Sequence, residues 1–256
     1  MDLSIPTTIG LEMYKSASQR ARIGTEAWGA INLFCLSCKS PRLTRSPHNT
    51  AAVDFTCPIC CSPYQLKSQS KPFGSKILDS AYSEMKKAIL EDRTPNLFVL
   101  HYDLPTWTVR TVILIPKFAF ALSTLECRKP LAATARRAGW VGCNILLDKI
   151  PTDARISIIA AGTQCAPSET RRAYQRLRPL EALKVEKRGW TLDVLNVVRS
   201  LQKSAFELSE VYAKDGELAK LHPQNRHVRD KIRQQLQVLR DLRILEFLGN
   251  GTYRLR

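Results

Sequence analysis

Residues 51–69 have the sequence AAVDFTCPICCSPYQLKSQ, with a short strand-like segment near each end. The segments AVDF and YQLK flank a Cys-Pro turn, and this arrangement predicts a β-hairpin. Asp54 and Lys67 fall on the two strands, and Cys57 and Cys60 fall at the tip. We therefore expect one hairpin to carry residues of two different sites.

The cysteines predict a metal site. Cys35 and Cys38 form one CxxC pair, Cys57 and Cys60 form a second, and 18 residues separate the pairs. This spacing is typical of a four-thiolate Zn²⁺ site, which has no open position and is therefore structural. Cys61 competes with Cys60 as a ligand, but the two-residue spacer favours Cys60. Buried free thiols are the alternative, and they do not account for two matched pairs. The isolated cysteines, interpreted as core or near-surface residues, are Cys127, Cys143 and Cys165.

The residues around the cysteines predict a second site. Phosphodiester hydrolysis needs acidic oxygens to hold Mg²⁺ and a cation that activates water or stabilises the phosphorane. Asp54 and Lys67 fit these roles, and Gln65 shares a strand face with Lys67. Gln65 stands where an acid is usual, although its carbonyl oxygen can still bind Mg²⁺. Taken alone, this pattern also fits an ordinary exposed strand edge.

Composition points to an anionic polymer as partner. The sequence is 44% apolar and 24% charged, which are ordinary values for a globular protein. Its net charge of +16 favours binding to a polyanion. A cationic solubility surface is the alternative. The N-terminus does not resemble a secretory signal, and no apolar run approaches the ~18 residues of a membrane span. We expect a cytoplasmic protein with no membrane partner, in which eight cysteines serve metal or core roles rather than disulfides.

The remaining patterns predict a mixed α/β core and a second domain. We expect helices over residues 11–30, 75–92 and near 172–177, and strands over 96–102, 107–116 and 154–162. Residues 128–145 are expected to form a polar loop. The domain boundary is placed near residue 185, so that residues 1–185 form one domain and 186–256 another.

The C-terminal region has the order of a winged helix. Predicted helices cover residues 189–201, with Thr191 as N-cap, then 206–213, with Ser204 as a weaker cap, and then 222–245. The GNG turn at 249–251 separates two alternating apolar runs and predicts a hairpin.

Several motifs together resemble the family of methyl-directed restriction endonucleases typified by DpnI. The similarity covers most of the chain in the same order. Its motifs are CLSC, VDFTC-x2-C with QLKS, PLAATARRAGWVGCNI (130–145), RGWTLDVLN and HVRDKIRQQLQVLRDLRILEF. The resemblance implies a PD-(D/E)xK-type nuclease domain followed by a winged helix, and a duplex DNA substrate with 6-methyladenine in GATC, cut with Mg²⁺. It also implies that Asp54 binds the metal ion and that Lys67 acts on the attacking water.

Gln65 departs from this family, which has a glutamate at the corresponding position. The departure leaves open a catalytically inactive protein that binds methylated DNA, although we favour an active enzyme. Glu12 or Glu26 of the first helix could add a metal ligand, but an ordinary solvated acid is the simpler interpretation. A zinc-containing transcription factor would leave Asp54 and Lys67 unexplained.

Trp140 is the residue expected to recognise the methyl group. A methyl on adenine N6 adds apolar volume in the major groove and leaves the nitrogen one N–H donor, so an aromatic surface can favour it. The resemblance implies this role for Trp140, with an ordinary core position as the alternative. Gly139 and Gly142 would let the loop approach DNA, and Arg136 and Arg137 would bind phosphates or a guanine edge.

The last predicted helix has the pattern of a recognition helix. Its expected buried stripe is Val228, Ile232, Leu236 and Leu239. Its expected DNA-facing side chains are Arg226, Arg229, Arg233, Arg240, Gln234 and Gln237. A solvated charged face is the alternative, and the position before the wing favours recognition. Thr252 and Arg254 would contact the DNA backbone, and we expect a monomer in solution.

Overall fold

The structure is a computed structural model that describes residues 1–7, 10–47, 50 and 52–256. The chain forms two compact units. The first unit comprises Met1–Phe73, Pro95–Lys117 and Asp153–Gln175, and the second comprises Gly74–Thr94, Phe118–Thr152 and Arg176–Arg256. The division predicted at residue 185 stays a prediction, and that position lies within the second unit. In the described ranges, no helix is long and apolar enough to cross a membrane.

The described part of the chain contains strands and helices in alternating groups. The strands are β1 (Thr44–Arg45), β2 (Phe55–Thr56), β3 (Pro63–Gln69), β4 (Lys76–Ala81), β5 (Asn96–Asp103), β6 (Thr108–Ile115), β7 (Leu125–Cys127), β8 (Gly142–Leu146), β9 (Ile156–Ala160), β10 (Thr163–Gln164), β11 (Ala205–Glu207), β12 (Leu245–Gly249) and β13 (Thr252–Leu255). The α-helices are α1 (Ala17–Asn32), α2 (Tyr82–Leu90), α3 (Pro167–Leu177), α4 (Val185–Ser200), α5 (Leu208–Tyr212), α6 (Asp215–Leu221) and α7 (Val228–Asp241).

A mixed sheet forms the centre of the first unit. Its strand order is β1-β2-β3-β5-β6-β9-β10. The pair β3–β5 is parallel, and the other neighbouring pairs are antiparallel. The predicted strands at 96–102, 107–116 and 154–162 are confirmed as β5, β6 and β9. Their apolar, β-branched residues account for their burial in the sheet.

The predicted hairpin is confirmed as β2 and β3 within residues 52–69, but its first strand is shorter than expected: β2 comprises only Phe55 and Thr56, so Asp54 lies just before the strand and not on it, while Lys67 lies on β3. Residue 51 lies outside the described residues. Phe55 pairs with Tyr64 and Thr56 with Pro63 in an antiparallel register. One step beyond, the backbone N–H of Asp54 donates to the Tyr64 carbonyl at 2.9 Å. This bond holds Asp54 against β3 at the start of the hairpin, one residue before β2 begins.

Helix α1 packs against this hairpin. It begins at Ala17 rather than at Leu11, because residues 11–13 form a short 3-10 turn in which Met13 is 82% exposed. Trp28 is fully buried, and Gly29 lets the helix approach the sheet. A Cβ on Gly29 would lie 2.9 Å from Cζ of Phe55.

The prediction of one helix over residues 75–92 is wrong for its first half. Residues 76–81 form β4, and only Tyr82–Leu90 form a helix, α2. Strand β4 pairs with β8, where Ile77 lies opposite Ile145. This pairing outweighs the helical periodicity of the segment, since short apolar runs fit either structure.

Strand β8 also corrects the predicted loop at 128–145. The last residues of that segment form the centre of a small sheet in the second unit, with order β4-β8-β7. The part that remains a loop, residues 128–141, is here named the Trp140 loop.

The C-terminal region has a winged-helix architecture with more elements than predicted. Helix α4 begins at Val185, so Thr191 is a buried internal residue and not an N-cap. Residues 205–207 form strand β11, and Glu207 with Glu210 caps α5 in place of Ser204. Helix α6 was not predicted. The predicted hairpin is confirmed as β12 and β13, and β11 adds a third strand in the order β11-β13-β12.

Side-chain contacts join the winged-helix region to earlier segments of the second unit. The buried Arg188 of α4 forms an ion pair with Asp92. Asp193 accepts hydrogen bonds from the Ser123 hydroxyl at 2.6 Å and from the His222 ring, whose Nε2 lies 2.8 Å away. Because a buried carboxylate needs such partners, these bonds fix α4 in the unit.

Gly29 offers a direct test of the packing of α1 on the hairpin. We expect Gly29→Ala to lower the free energy of unfolding by about 1–3 kcal/mol, because the added methyl overpacks against Phe55. This loss outweighs the helix-propensity gain of about 1 kcal/mol. Urea denaturation measures it. Gly74→Ala is the control, because nothing lies within 4 Å of a Cβ there. Equal stability of the two variants would contradict this packing.

Candidate active site and metal centre

An open cleft in the first unit, with a volume of about 700 Å³, collects the predicted catalytic residues. Asp54, Gln65 and Lys67 all line it, and so do Arg22 and Glu26 of α1. The structure therefore brings the three predicted residues together, and it adds a carboxylate from the first helix. Their roles stay predictions.

Asp54 is held by the backbone of β3. Its Oδ2 accepts the N–H of Leu66 at 2.8 Å. Burial raises the pKa of the Asp54 carboxyl, and the charge of Glu26 acts in the same direction, while the Leu66 N–H, Arg22 and Lys67 oppose them. A bound cation would offset this penalty on the charged form.

Gln65 and Lys67 reach the cleft because they are two positions apart on β3. Successive strand side chains alternate between faces, and both residues line the cleft. In the parallel pairing with β5, Gln65 lies opposite Leu97 and Lys67 opposite Val99. The interior strand β5 thus fixes the positions of both side chains.

Glu26 is the cleft residue that the sequence could only offer as an alternative. Its Oε1 accepts a hydrogen bond from Nε of Arg22 at 2.6 Å. The preceding residue, the buried Thr25, contacts the hydroxyl of Ser68 on β3 at 3.1 Å, which fixes the rotation of α1. Glu12 lies in the exposed 3-10 turn and is not among the cleft residues.

The donor atoms in the cleft fit a hard divalent cation. Two carboxylates, from Asp54 and Glu26, and the amide oxygen of Gln65 are oxygen donors of the kind that Mg²⁺ binds. Glu26 thus places a second carboxylate in the cleft that holds Asp54 and Gln65.

The four predicted zinc ligands form a cluster at the hairpin tip. The sulfurs of Cys35, Cys38, Cys57 and Cys60 all lie within 4.8 Å of one another. Sγ of Cys35 lies 3.6 Å from that of Cys60, and Sγ of Cys38 lies 3.5 Å from that of Cys57. Tetrahedral zinc with bonds of about 2.3 Å places its sulfurs about 3.8 Å apart. The cluster could therefore hold zinc.

Backbone N–H groups around the cluster favour thiolates. Ile59 and Cys60 donate to Cys57 Sγ at 3.4 and 3.5 Å, and Ser40 donates to Cys38 Sγ at 3.4 Å. Burial raises the pKa of the Cys35 thiol to about 12. At Cys57 burial acts in the same direction, but the donors from Cys60 and Ile59 outweigh it and lower the pKa to about 6.

A second layer of contacts holds the first cysteine pair, and nothing in the sequence motif indicated it. Arg171 of α3 donates to the carbonyls of Cys35, Cys38 and Ser40 at 2.9–3.1 Å. The buried Tyr64 of β3 lies with its hydroxyl 3.1 Å from Cys35 Sγ. Such outer contacts orient the ligands of a metal ion.

The Trp140 loop is ordered by its own backbone. The backbone N–H of Leu131 donates a hydrogen bond to the Trp140 carbonyl at 3.0 Å, and the N–H of Gly139 donates to the Leu131 carbonyl. These two bonds close the loop. Trp140 is half-buried and Arg136 and Arg137 are exposed. Gly139 has a φ of +77°, as predicted for a bend, whereas Gly142 belongs to β8 and makes room for the Trp140 ring.

Helix α7 presents the predicted polar face to solvent. Arg226, just before the helix, is exposed, as are Arg229, Arg233, Gln234, Gln237 and Arg240. Arg229 is bound to Asp215 at 2.8 Å and Arg240 to Asp241 at 2.9 Å. In the wing, Arg254 is bound to Glu246 at 2.9 Å.

The buried side of α7 differs from the prediction at two positions. Val228 is only half-buried, and the fully buried set is Ile232, Gln235, Leu236 and Leu239. Gln235 is satisfied by the hydroxyl of Thr191 in α4 at 2.8 Å. It lies three residues after Ile232, and this spacing was the signal in the sequence.

The cysteine assignment can be tested by metal content. We expect one Zn²⁺ per chain by atomic emission, lost in Cys60→Ser because three thiolates hold zinc far less tightly. Cys61→Ser is the matched control, since Cys61 is equally exposed and lies outside the cluster. Zinc retained in Cys60→Ser and lost in Cys61→Ser would reverse the assignment.

Comparison with protein families covers nearly the whole chain. Residues 1–183 match the DpnI profile, described as the Dam-replacing family, and residues 186–255 match the Dam-replacing HTH domain. The second match falls on the winged-helix region. The chain belongs to the DpnI or Dam-replacing family, a family of restriction endonucleases with a C-terminal DNA-binding helix-turn-helix domain.

Proposed function

We propose that this protein is a methyl-directed type II restriction endonuclease. It hydrolyses phosphodiester bonds of duplex DNA at 6-methyladenine in GATC, with Mg²⁺ in a PD-(D/E)xK-type site and Zn²⁺ in a structural site. The observation that carries this proposal is the cleft in which Asp54, Gln65, Lys67 and Glu26 converge. A cytoplasmic, monomeric protein remains our expectation.

Each cleft residue has a distinct task in this reaction. Asp54, Glu26 and the Gln65 carbonyl would hold a divalent cation, and such an ion would supply Lewis-acid polarisation of the phosphate and an acidified water. Lys67 holds the attacking water by a hydrogen bond and offsets the negative charge that develops on phosphorus. The water oxygen bonds to phosphorus as the bond to the leaving DNA oxygen breaks. The proton of the water passes to bulk solvent, and the leaving oxygen takes up a proton from solvent.

A catalytically inactive protein that binds methylated DNA is the second candidate. The observation that favours it is Gln65, which lacks the charge of the family's glutamate. Glu26 argues against it, because a second carboxylate already lines the cleft. Absence of cleavage in Mg²⁺ or Mn²⁺, with binding intact, would favour the inactive protein.

Lys67 separates catalysis from binding. We expect Lys67→Ala to reduce cleavage of a methylated GATC duplex by at least about 100-fold, because the water and the developing charge lose their cation. Binding to the same duplex should change little. Lys71→Ala, on an exposed residue outside the cleft, is the control for loss of positive charge. Full cleavage by Lys67→Ala would refute the assigned role.

A pair of substitutions tests whether a carboxylate at position 65 can replace the carboxylate of Glu26. We expect Glu26→Gln to lower cleavage by about 100-fold or more, at least the effect of losing an outer-shell contact. Adding Gln65→Glu to that variant should restore most activity and lower the Mg²⁺ concentration needed for the half-maximal rate. Glu12→Gln, outside the cleft, is the control. No rescue in the double variant would show that Glu26 does not replace the missing acid.

A further inference from the structure

The two adjacent arginines of the Trp140 loop differ in what they contact. The guanidinium carbon of Arg137 lies 4.8 Å from the centroid of the Trp140 ring. A guanidinium over an indole at this distance is attractive by about 0.5–1 kcal/mol at an exposed site. Among the described residues, Arg136 has no hydrogen bond, ion pair or ring contact. Arg137 therefore covers one face of the indole, and Arg136 projects from the loop.

Gly142 limits the ring on another side. A Cβ added to Gly142 would lie 2.8 Å from both Cη2 and Cζ3 of Trp140, closer than real carbon contacts allow. The end of the indole thus occupies the space that any side chain at the start of β8 would fill. The backbone of the loop is also held by the hydrogen bond between Leu131 and Trp140. The Trp140 ring therefore has a fixed position and orientation.

A fixed ring recognises a methyl group better than a mobile one. Contact with a single methyl changes an affinity by only about fourfold, whereas ordering a mobile side chain on binding weakens it by about two- to twelvefold. A mobile indole would therefore lose most of the difference between methylated and unmethylated adenine. The supports of the ring matter as much as the ring.

We propose that Arg137 and Gly142 are positioning residues for methyl recognition, which hold Trp140 against β8, and that Arg136, and not Arg137, is the phosphate contact of this loop. This inference rests on the proposed function and on the prediction from the sequence that Trp140 meets the methyl group of adenine.

The test compares adjacent residues in the full-length protein. Fluorescence anisotropy, without added divalent cations, gives the Kd for GATC duplexes that are fully methylated or unmethylated, at several salt concentrations. Two quantities follow. One is the methyl preference, the ratio of the unmethylated to the methylated Kd, and the other is the slope of log affinity against log salt.

Arg136→Ala and Arg137→Ala should separate in these two quantities. We expect Arg136→Ala to weaken both duplexes alike and to lower the salt slope by about one, with an unchanged preference. Arg137→Ala should lower the preference by about fourfold, the worth of one methyl contact, with a smaller change in slope. Trp140→Ala should lower the methyl preference as much as Arg137→Ala does. In the double variant, Arg137→Ala should cause no further loss of methyl preference.

Gly142→Ala gives the same test without any change in charge. It should lower the methyl preference as Arg137→Ala does and leave the salt slope at the wild-type value. Thermal melting followed by circular dichroism checks that each variant is folded. If Gly142→Ala does not fold, Arg137→Ala still tests the inference, because Arg137 is exposed and its substitution should not affect folding.

The possible failures are distinct. Equal effects of Arg136→Ala and Arg137→Ala on the slope, with preference retained, would make Arg137 a second phosphate contact and overturn the inference. A preference retained in both Arg137→Ala and Gly142→Ala would overturn it as well. A wild-type preference of one would instead overturn the proposed function, and the inference with it.

Discussion

The two-residue period of strand β3 is the constraint on which both sites depend. Tyr64 contacts the cysteine cluster, and the next residue, Gln65, enters the cleft. A shift of the register by one residue would exchange these faces. The bonds from Asp54 to Tyr64 and from Leu66 to Asp54 hold the register on the cleft side. The four sulfurs hold it at the tip, so that a structural metal would also position a catalytic strand.

The cleft combines one neutral amide, that of Gln65, with two carboxylates, those of Asp54 and Glu26. Asp54 is partly buried, and this burial raises its pKa. A glutamate at position 65 would add a further negative charge beside it. In this chain the second charge comes from α1, where Glu26 is already paired with Arg22. The oxygen donors of the cleft are thus distributed between a helix and a hairpin, and their arrangement depends on the packing of Gly29 against Phe55.

Local patterns were enough to predict the parts of the structure that depend on local contacts. The hairpin, strands β5 and β6, the cysteine set and the wing follow from spacing and alternation within a few residues. Strand β4 did not follow, because only its partner β8, more than sixty residues away, decides against a helix. Thr191 and Gln235 lie 44 positions apart. Their burial is understandable only when α4 and α7 pack together and the two side chains form a hydrogen bond. The sequence offered Glu26 only as one of two alternatives and did not indicate Arg171, because neither helix carries a motif; their positions in the cleft and against the cysteine cluster required the fold.

The winged-helix region is not an independent module, because the second unit also contains two segments that precede it in the chain. The helix-turn-helix match begins at residue 186, yet Arg188 and Asp193 of that region bind Asp92 and Ser123, which precede it by many residues. Recombination between relatives at the start of this match would transfer α4 to α7 and leave behind the partners of the buried Arg188 and Asp193. Substitutions on the exposed face of α7 would leave these buried pairs intact, whereas exchange of the whole C-terminal segment would separate them.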